Sequence, residues 1–156
     1  MRHQAIRFTI RHFYFLLCIS IHFLFFSCTT LYDHYTFTET IETKVQIENL
    51  IRQSVNSFSE NKEQVTAFQN QLQKMLIYEK AKDKNEITIK MWEYINSPNS
   101  SVSKFLKLWE EKDTLSPAFT EEFKVPIQRI FDLMVAYENK KDQPTEDALQ
   151  QILQTP

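Results

Sequence analysis

The chain contains no glycine in 156 residues. A typical protein of this length has about eleven. Glycine supplies the positive φ angles of tight hairpin turns and lets the backbone approach a phosphate group closely. Its absence excludes the glycine-rich phosphate-binding loop and the dinucleotide-binding fingerprint, and it disfavours folds built from β-hairpins. We therefore predict an all-α fold whose helices are joined by turns of Pro, Ser, Asn and Asp.

The first 28 residues have the pattern of a bacterial lipoprotein signal. Residues 1–12 contain three arginines and no acidic residue, and a mostly apolar run follows at 13–26. A basic start and an apolar core of this length are typical of a secretory signal, whereas a spanning helix needs about 20 apolar residues. The segment Leu24–Cys28 resembles a lipobox, with Phe25 where Leu is usual. We predict that 1–27 is a cleaved signal peptide and that Cys28 is lipidated.

An acylated Cys28 would hold the chain on a lipid bilayer without a spanning helix, because acyl chains contribute about 0.8 kcal/mol per buried methylene. Thr29 is not the Asp that favours inner-membrane retention in enterobacterial lipoproteins, so we expect the outer membrane of the cell envelope. Residues 29–33 lack the acidic run of a surface-export tag, so we expect the protein to face the periplasm. The alternatives are an uncleaved signal anchor and plain secretion, with Cys28 as an ordinary thiol.

Composition after Cys28 excludes several kinds of site. Removing 1–27 leaves 129 residues, the size of one domain. Three of the 18 Lys and Arg and none of the 20 Asp and Glu are removed, so the remaining formal charge is −5. That balance argues against nucleic acid as a partner, because phosphates require a concentrated basic face. With His34 as its one histidine and no free thiol, this part cannot form a Cys/His zinc site or a Cys–His dyad.

Apolar residues recur at helical spacing in successive stretches of 37–141. They are Phe37, Ile41, Val45, Ile47, Ile51, Val55 and Phe58; Val65, Phe68, Leu72, Met75 and Leu76; Ile87, Met91, Tyr94 and Ile95; Val102, Phe105, Leu106, Leu108 and Trp109; and Phe119, Phe123, Ile127, Ile130, Phe131, Met134 and Tyr137. We predict an irregular bundle of four to five amphipathic helices over 37–141. A lipidated tether at 28–36 precedes it, and a polar tail at 142–156 follows, forming at most a short helix.

Local signals predict where these helices begin. Ser59 or Asn61 can cap the second helix by accepting from exposed backbone N–H groups. Ser97-Pro98 and Ser116-Pro117 each read as a capping serine followed by proline at the first helical position. These pairs predict two further helix starts.

Residues 86–90 fit two kinds of secondary structure, and Pro126 predicts an irregular helix. Residues 86–90 alternate in a way that also fits a short strand. Pro126 lies within the clearest apolar stripe, and in a helix interior it removes the hydrogen bond to Glu122 at a cost of about 3 kcal/mol. Because the stripe keeps its phase across Pro126, we predict one continuous helix with a kink or hinge there, not two helices.

Trp92 and Trp109 are the candidate binding residues. They occupy matching positions in Lys90–Glu93 and Lys107–Glu110. Two tryptophans could form stacking platforms for a sugar or a peptide. The competing interpretation is that both belong to the core, since apolar stripes at helical spacing usually face the interior.

No catalytic, metal or cofactor site is predicted. Asp33 and His34 are adjacent, but neighbouring side chains on an extended tether point to opposite sides and cannot form a catalytic pair. A carboxylate-based hydrolase would need two carboxylates about 5–9.5 Å apart across a cleft, and the sequence singles out no such pair. The carboxylates considered are Glu110, Glu111, Glu121, Glu122, Asp132 and Glu138.

Tyr32–Thr36 and Asn85–Glu93, together with the lipobox-like segment, resemble uncharacterised small lipoproteins of Bacteroidetes type. The resemblance implies an envelope lipoprotein and carries no activity. We expect a non-enzymatic protein that binds a protein partner through a helix face, as an accessory subunit or inhibitor. The alternative is a binder of a hydrophobic or glycan ligand in a cleft near Trp92 and Trp109. A hydrolase is the remaining hypothesis.

Overall fold

The computed structural model describes residues 32–83 and 85–153, which form six α-helices. They are α1 His34–Gln53, α2 Phe58–Lys80, α3 Glu86–Asn96, α4 Ser101–Lys112, α5 Pro117–Lys140 and α6 Gln143–Leu153. Helix α1 packs on α5 and α2, α2 also packs on α3 and α4, and α6 packs on α5 and α3. The predicted all-α bundle is confirmed. The predicted signal at 1–27 and Cys28 lie outside the described residues.

All six helices contribute to one core. Its largest fully buried side chains are Trp92, Trp109, Phe68, Phe105, Phe131, Ile47, Met75, Met91, Ile95, Ile127, Met134 and Leu149. Within residues 32–83 and 85–153, no helix combines the length and the apolar character needed to cross a membrane. Residues 86–90 belong to α3, so the strand alternative for this segment is wrong.

Helix α1 corrects the prediction of its buried face. Phe37, Ile41 and Val45 were expected in the core, but Ile41 is 36% exposed and Val45 is 50% exposed. The face that packs inward is formed by Thr36, Thr40, Thr43, Ile47, Leu50 and Ile51. Threonine tolerates burial here because its hydroxyl is satisfied within the helix: Thr40 Oγ1 donates to the Thr36 carbonyl at 2.7 Å. The first three turns therefore bury threonines and expose aliphatic side chains.

The start of α1 also differs from the predicted boundary at 37. Helix α1 begins at His34, because Asp33 caps it by accepting from the backbone N–H groups of Tyr35 and Thr36. Residues 34–36, which were predicted to belong to the tether at 28–36, are therefore the first three residues of α1.

Two other helix starts differ from the prediction, one because of a tertiary hydrogen bond and one because a later serine forms the cap. Helix α2 begins at Phe58, whose N–H donates to the Asp113 carbonyl at 2.7 Å. Asn61 lies inside the helix and donates back to the Ser57 carbonyl, so it is not a cap. Helix α4 is capped by Ser100, which accepts from the Ser103 N–H and donates to the Ile95 carbonyl.

The predicted start and continuity of helix α5 are confirmed, whereas the kink or hinge at Pro126 stays a prediction. Ser116 is the N-cap, Pro117 occupies the first turn, and the helix runs through Pro126 to Lys140 without interruption. Ser97-Pro98, the parallel signal, does not start a helix: Ser97 ends α3 instead.

Glycine commonly adopts the positive φ angle that ends a helix. In this chain, which has no glycine, other residues adopt it. Among the described residues, Asp113 after α4 has φ 61° and Lys141 after α5 has φ 51°. Such a conformation costs an L-residue roughly 1–2 kcal/mol. Both residues bond to neighbouring elements, as described below, and these contacts offset the backbone cost.

The last helix extends the bundle beyond the predicted boundary at 141. Helix α6 packs on α5 and α3, and its Leu149 is fully buried. The segment predicted as a polar tail therefore closes part of the core.

Candidate functional site

The most concentrated ionisable groups lie at the end of the bundle where α1 begins. We call Asp33, Thr36, Glu79, Lys82 and Asn85 the Glu79 cluster; they come from the start of α1, the end of α2 and the loop before α3. Glu79 is fully buried. It accepts from Thr36 Oγ1 at 2.5 Å, from Lys82 Nζ at 2.6 Å and from the Asn85 amide.

Lys82 is the centre of this cluster. Besides Glu79, its ammonium donates to Asp33 Oδ2 at 2.9 Å and to Thr36 Oγ1 at 2.8 Å, which uses all three of its donors. Tyr78 adds a hydrogen bond to Asp33 at 3.1 Å. Burial acts to raise the pKa of Asp33, but hydrogen bonds from Lys82, the Thr36 N–H and Tyr78 hold that pKa well below its usual range.

A second buried carboxylate lies at the same end. Glu138 is fully buried and accepts from Thr88 Oγ1 at 2.7 Å and from Lys141 Nζ at 2.5 Å. Burial raises the pKa of Glu138, against the attraction of Lys141, and the charge of Glu79 raises it further. Lys141 reaches this site because of its left-handed backbone, and its ammonium also lies 4.5 Å from the centre of the Tyr137 ring.

These contacts join the ends of four helices. Both oxygens of Glu79 and of Glu138 accept hydrogen bonds, and none of the four described cavities is lined by either residue. A buried carboxylate with both oxygens hydrogen-bonded stabilises one arrangement of the helices. These bonds give both carboxylates a structural role in the described part of the chain.

The structure places both candidate tryptophans in the core. Trp92 and Trp109 have no exposed surface and line none of the four described cavities. Trp109 Nε1 donates to the carbonyls of Asn56 and Asp113, each at 3.1 Å, whereas Trp92 Nε1 is buried without a hydrogen-bond partner in the described part of the chain. Neither ring has exposed surface on which a ligand could stack in this arrangement, which favours the interpretation that both residues belong to the core.

The remaining sequence candidates are dispersed. Of the six carboxylates considered, only Glu138 is buried. Asp132 pairs with Lys44 on α1, and Glu121 pairs with Lys124 one turn away. His34 is exposed and bonds to the Tyr32 hydroxyl, not to Asp33. In residues 32–83 and 85–153, no group of three His, Cys, Asp or Glu residues is arranged to hold a metal ion.

The surface between α2 and α4 forms a groove of about 370 Å³. Its floor is aliphatic and its rims are polar. The residues that line this α2–α4 groove are Phe58, Lys62, Val65, Thr66, Gln69, Asn70, Leu72, Gln73, Asn96, Val102, Ser103, Leu106, Lys107 and Glu110. The Gln69 and Asn70 amides have no hydrogen-bond partner among the described residues, while Gln73 donates to Asn96 at 2.9 Å.

A second cavity, of about 340 Å³, lies beside Pro126. Side chains of α3, α4, α5 and α6 line it: Tyr94, Ile95, Asn99, Ser100, Ser101, Val102, Lys104, Pro126, Arg129, Ile130 and Ile152. It combines an aliphatic floor with two cationic side chains, Lys104 and Arg129, that form no ion pair in the described part of the chain. We call it the Pro126 pocket.

Comparison of the chain with protein-family models, with curated protein sequences and with solved structures finds no match.

Only some of these features can be predicted from local sequence. A salt bridge between Glu79 and Lys82 can be predicted because the two residues are three positions apart, a spacing that places side chains together on a helix. Their partners Asp33 and Thr36 are more than 40 residues away, so local sequence does not predict them. The groove residues Gln69 and Asn70 looked like ordinary exposed positions of α2. A possible signal for α1 was Thr36, Thr40 and Thr43, whose spacing matches Ile47 and Leu50 on one helical face.

Proposed function

We propose that this chain is a lipid-anchored envelope protein that binds a protein partner and catalyses no reaction. The lipid anchor rests on the lipobox-like segment that ends at Cys28. The binding role rests on one structural observation, the α2–α4 groove with its aliphatic floor and amide rims. The resemblance to small Bacteroidetes-type lipoproteins agrees with this role and adds no activity.

The chemistry of the groove favours an extended polypeptide segment. The partly buried Phe58 and the edges of Val65 and Leu106, which are largely buried, give the groove a small apolar floor. The free amides of Gln69 and Asn70 each carry a donor and an acceptor, which match the N–H and C=O groups of a peptide backbone. A segment of this kind would contribute apolar area to the floor and hydrogen bonds to the rim.

Crosslinking and affinity purification from native envelopes tests this proposal. The groove variants are Thr66→Arg and Gln69→Arg, which place a bulky charge over the floor. The matched control is Gln64→Arg, an exposed position on the same helix that does not line the groove. We expect one dominant partner with the wild type and the control, and its loss with both groove variants.

Two results would contradict the proposal. Capture that the groove variants leave unchanged would remove the groove as the binding site, and an absence of any partner would remove the binding role. The anchor is tested separately by Cys28→Ala, which we expect to release the protein from the membrane fraction. Retention of that variant in the membrane would remove the lipoprotein assignment.

The Pro126 pocket supports a second candidate function, binding of a small amphipathic anion. Its partly buried residues Tyr94 and Ile152 suit an alkyl chain, and Lys104 and Arg129 suit a carboxylate. This keeps the hydrophobic-ligand alternative but moves it away from the tryptophan rings. Decanoate should raise the thermal midpoint of the wild type and of Arg52→Gln, a control on α1, but not of Arg129→Gln. Equal shifts in all three would exclude the pocket.

A further inference from the structure

The outer face of the first turns of α1 is unusual in this molecule. We call Tyr32, Phe37, Ile41 and Val45 the α1 stripe. Tyr32, Ile41 and Val45 are three of the eight exposed large apolar side chains among the described residues, and Tyr32 contacts the half-buried Phe37 with ring centroids 5.9 Å apart. Phe37, Ile41 and Val45 are spaced four residues apart, so they form a continuous line along the helix. Their exposure coincides with burial of threonines on the opposite face.

Two charged side chains of α1 near this line are paired with neighbouring helices. Glu39 pairs with Lys74 on α2 at 2.8 Å, and Lys44 pairs with Asp132 on α5 at 2.5 Å. Glu42 is exposed and lies three residues before Val45, so its carboxylate borders the α1 stripe on one side. The α1 stripe therefore offers an apolar surface over about three turns, with one exposed carboxylate at its edge.

We propose that α1 lies along the surface of the bilayer, with the α1 stripe in contact with the boundary between headgroups and acyl chains. This inference rests on the lipid anchor of the proposed function. Five residues lead from Cys28 to Asp33, and even fully extended they span at most about 17 Å. The first turn of α1 consequently stays next to the membrane that holds Cys28.

Because the tether is short, a small apolar stripe is sufficient to keep α1 in contact with the bilayer. Four side chains alone bind a bilayer weakly, but a tether of a few residues gives them an effective concentration in the millimolar range. Tyr32 also suits this position, because its ring is apolar and its hydroxyl bonds to His34 at 3.2 Å. The net charge of −5 after Cys28 offers no general attraction to anionic lipids, so contact depends on this apolar face.

The test uses residues 28–156, which contain every described helix and the whole core. Cys28 is their only cysteine, so its thiol can be coupled chemically to a maleimide lipid in phosphatidylcholine vesicles. A photo-crosslinking benzoyl-phenylalanine replaces Val45, or, as matched control, Val125, which is 66% exposed on α5. We expect about tenfold more lipid adduct at position 45 than at position 125, because only the first site contacts acyl chains.

Equal adduct at both positions, or none at position 45, would overturn the inference. In native envelopes, a protein adduct at position 45 in place of a lipid adduct would also overturn it and make the stripe a protein-docking face. The chemical coupling does not depend on natural acylation, so failure of the anchor and failure of the α1 contact are distinguishable. Ile41→Ser combined with Val45→Ser, introduced beside a crosslinker at position 37, should lower the lipid adduct severalfold. An unchanged yield of lipid adduct would contradict contact between the α1 stripe and the bilayer.

Discussion

At the scale of single residues, the two tryptophans differ although both are fully buried. Trp109 Nε1 satisfies two backbone carbonyls, those of Asn56 and Asp113. Trp92 Nε1 satisfies no group in the described part of the chain. A buried polar group without a partner costs about 1–3 kcal/mol. Removing the Trp109 donor would leave the Asn56 carbonyl with this kind of penalty, whereas the Asp113 carbonyl would still accept from the Phe58 N–H. The local sequences around the two residues are alike, so only the tertiary structure distinguishes them.

We therefore predict that Trp109→Phe destabilises the protein by about 1–2 kcal/mol more than Trp92→Phe. Both substitutions remove a similar volume, so each is the control for the other. Urea unfolding followed by circular dichroism measures the difference in the free energy of unfolding. A larger loss for Trp92→Phe would mean that its indole N–H has a bonded partner.

Asp33 gives a pH dependence of known sign. Its folded-state pKa lies below the unfolded value of about 3.9, so its charge stabilises the fold above that value. The contribution is lost as the pH falls from about 4 towards the folded-state pKa. Asp33→Asn keeps a good N-cap, but it removes the charge and replaces the oxygen that accepts from Lys82 and Tyr78 with an NH2 group. The asparagine side chain does not titrate in this range, so a pH-dependent difference from the wild type reports on the Asp33 carboxyl.

We expect the wild type to exceed Asp33→Asn in unfolding free energy by about 1 kcal/mol between pH 5 and pH 7. This figure is small because the carboxyl is partly exposed to solvent. The difference should shrink below about pH 4. Thermal midpoints of both proteins from pH 3 to pH 7 provide the measurement, and a difference that is constant or grows in acid would contradict the assignment.

At the scale of helices, local signals predicted some boundaries and tertiary contacts decided the others. Ser116-Pro117 starts α5 as predicted, because both residues act within one turn. Ser97-Pro98 carries the same signal, yet α4 starts later, where Ser100 can also bond to the Ile95 carbonyl. The buried face of α1 was mispredicted because hydropathy ranks threonine below isoleucine and valine. It takes no account of hydroxyls bonded within the helix, such as Thr40 and Thr43.

Substitution of Pro126 measures how much this proline costs the stability of α5. The helix continues through it and its side chain is exposed, so the substitution Pro126→Ala loses little packing. Alanine restores an N–H donor for the Glu122 carbonyl, and we expect a gain of about 1–3 kcal/mol. Pro117→Ala is the matched control at the first turn, where the change should stay within about 1 kcal/mol. Chemical unfolding of both variants measures this, and destabilisation by Pro126→Ala would show that packing requires the proline geometry.

At the scale of the whole molecule, the bundle is stabilised at one end by ion pairs and along its length by apolar packing. The all-α class followed from composition and apolar periodicity. The Glu79 cluster did not, because it brings together residues from α1, α2 and the loop before α3. The α2–α4 groove likewise depends on two helices that are far apart in sequence. Local pattern therefore predicts which helices form, and tertiary packing determines the surfaces between them.

Helix α6 gives the test at this scale, since its sequence is mostly polar and was expected to lie outside the core. Leu149 is fully buried, whereas Leu153 at the end of the helix is only partly buried. Leu149→Ala should therefore cost about 2–4 kcal/mol and leave a cavity where α6 meets α3 and α5. Leu153→Ala, the same chemical change at a partly exposed site, should cost less than about 1 kcal/mol. Urea unfolding compares the two. Equal small losses would mean that α6 does not close the core in solution, and that the bundle is stable with five helices.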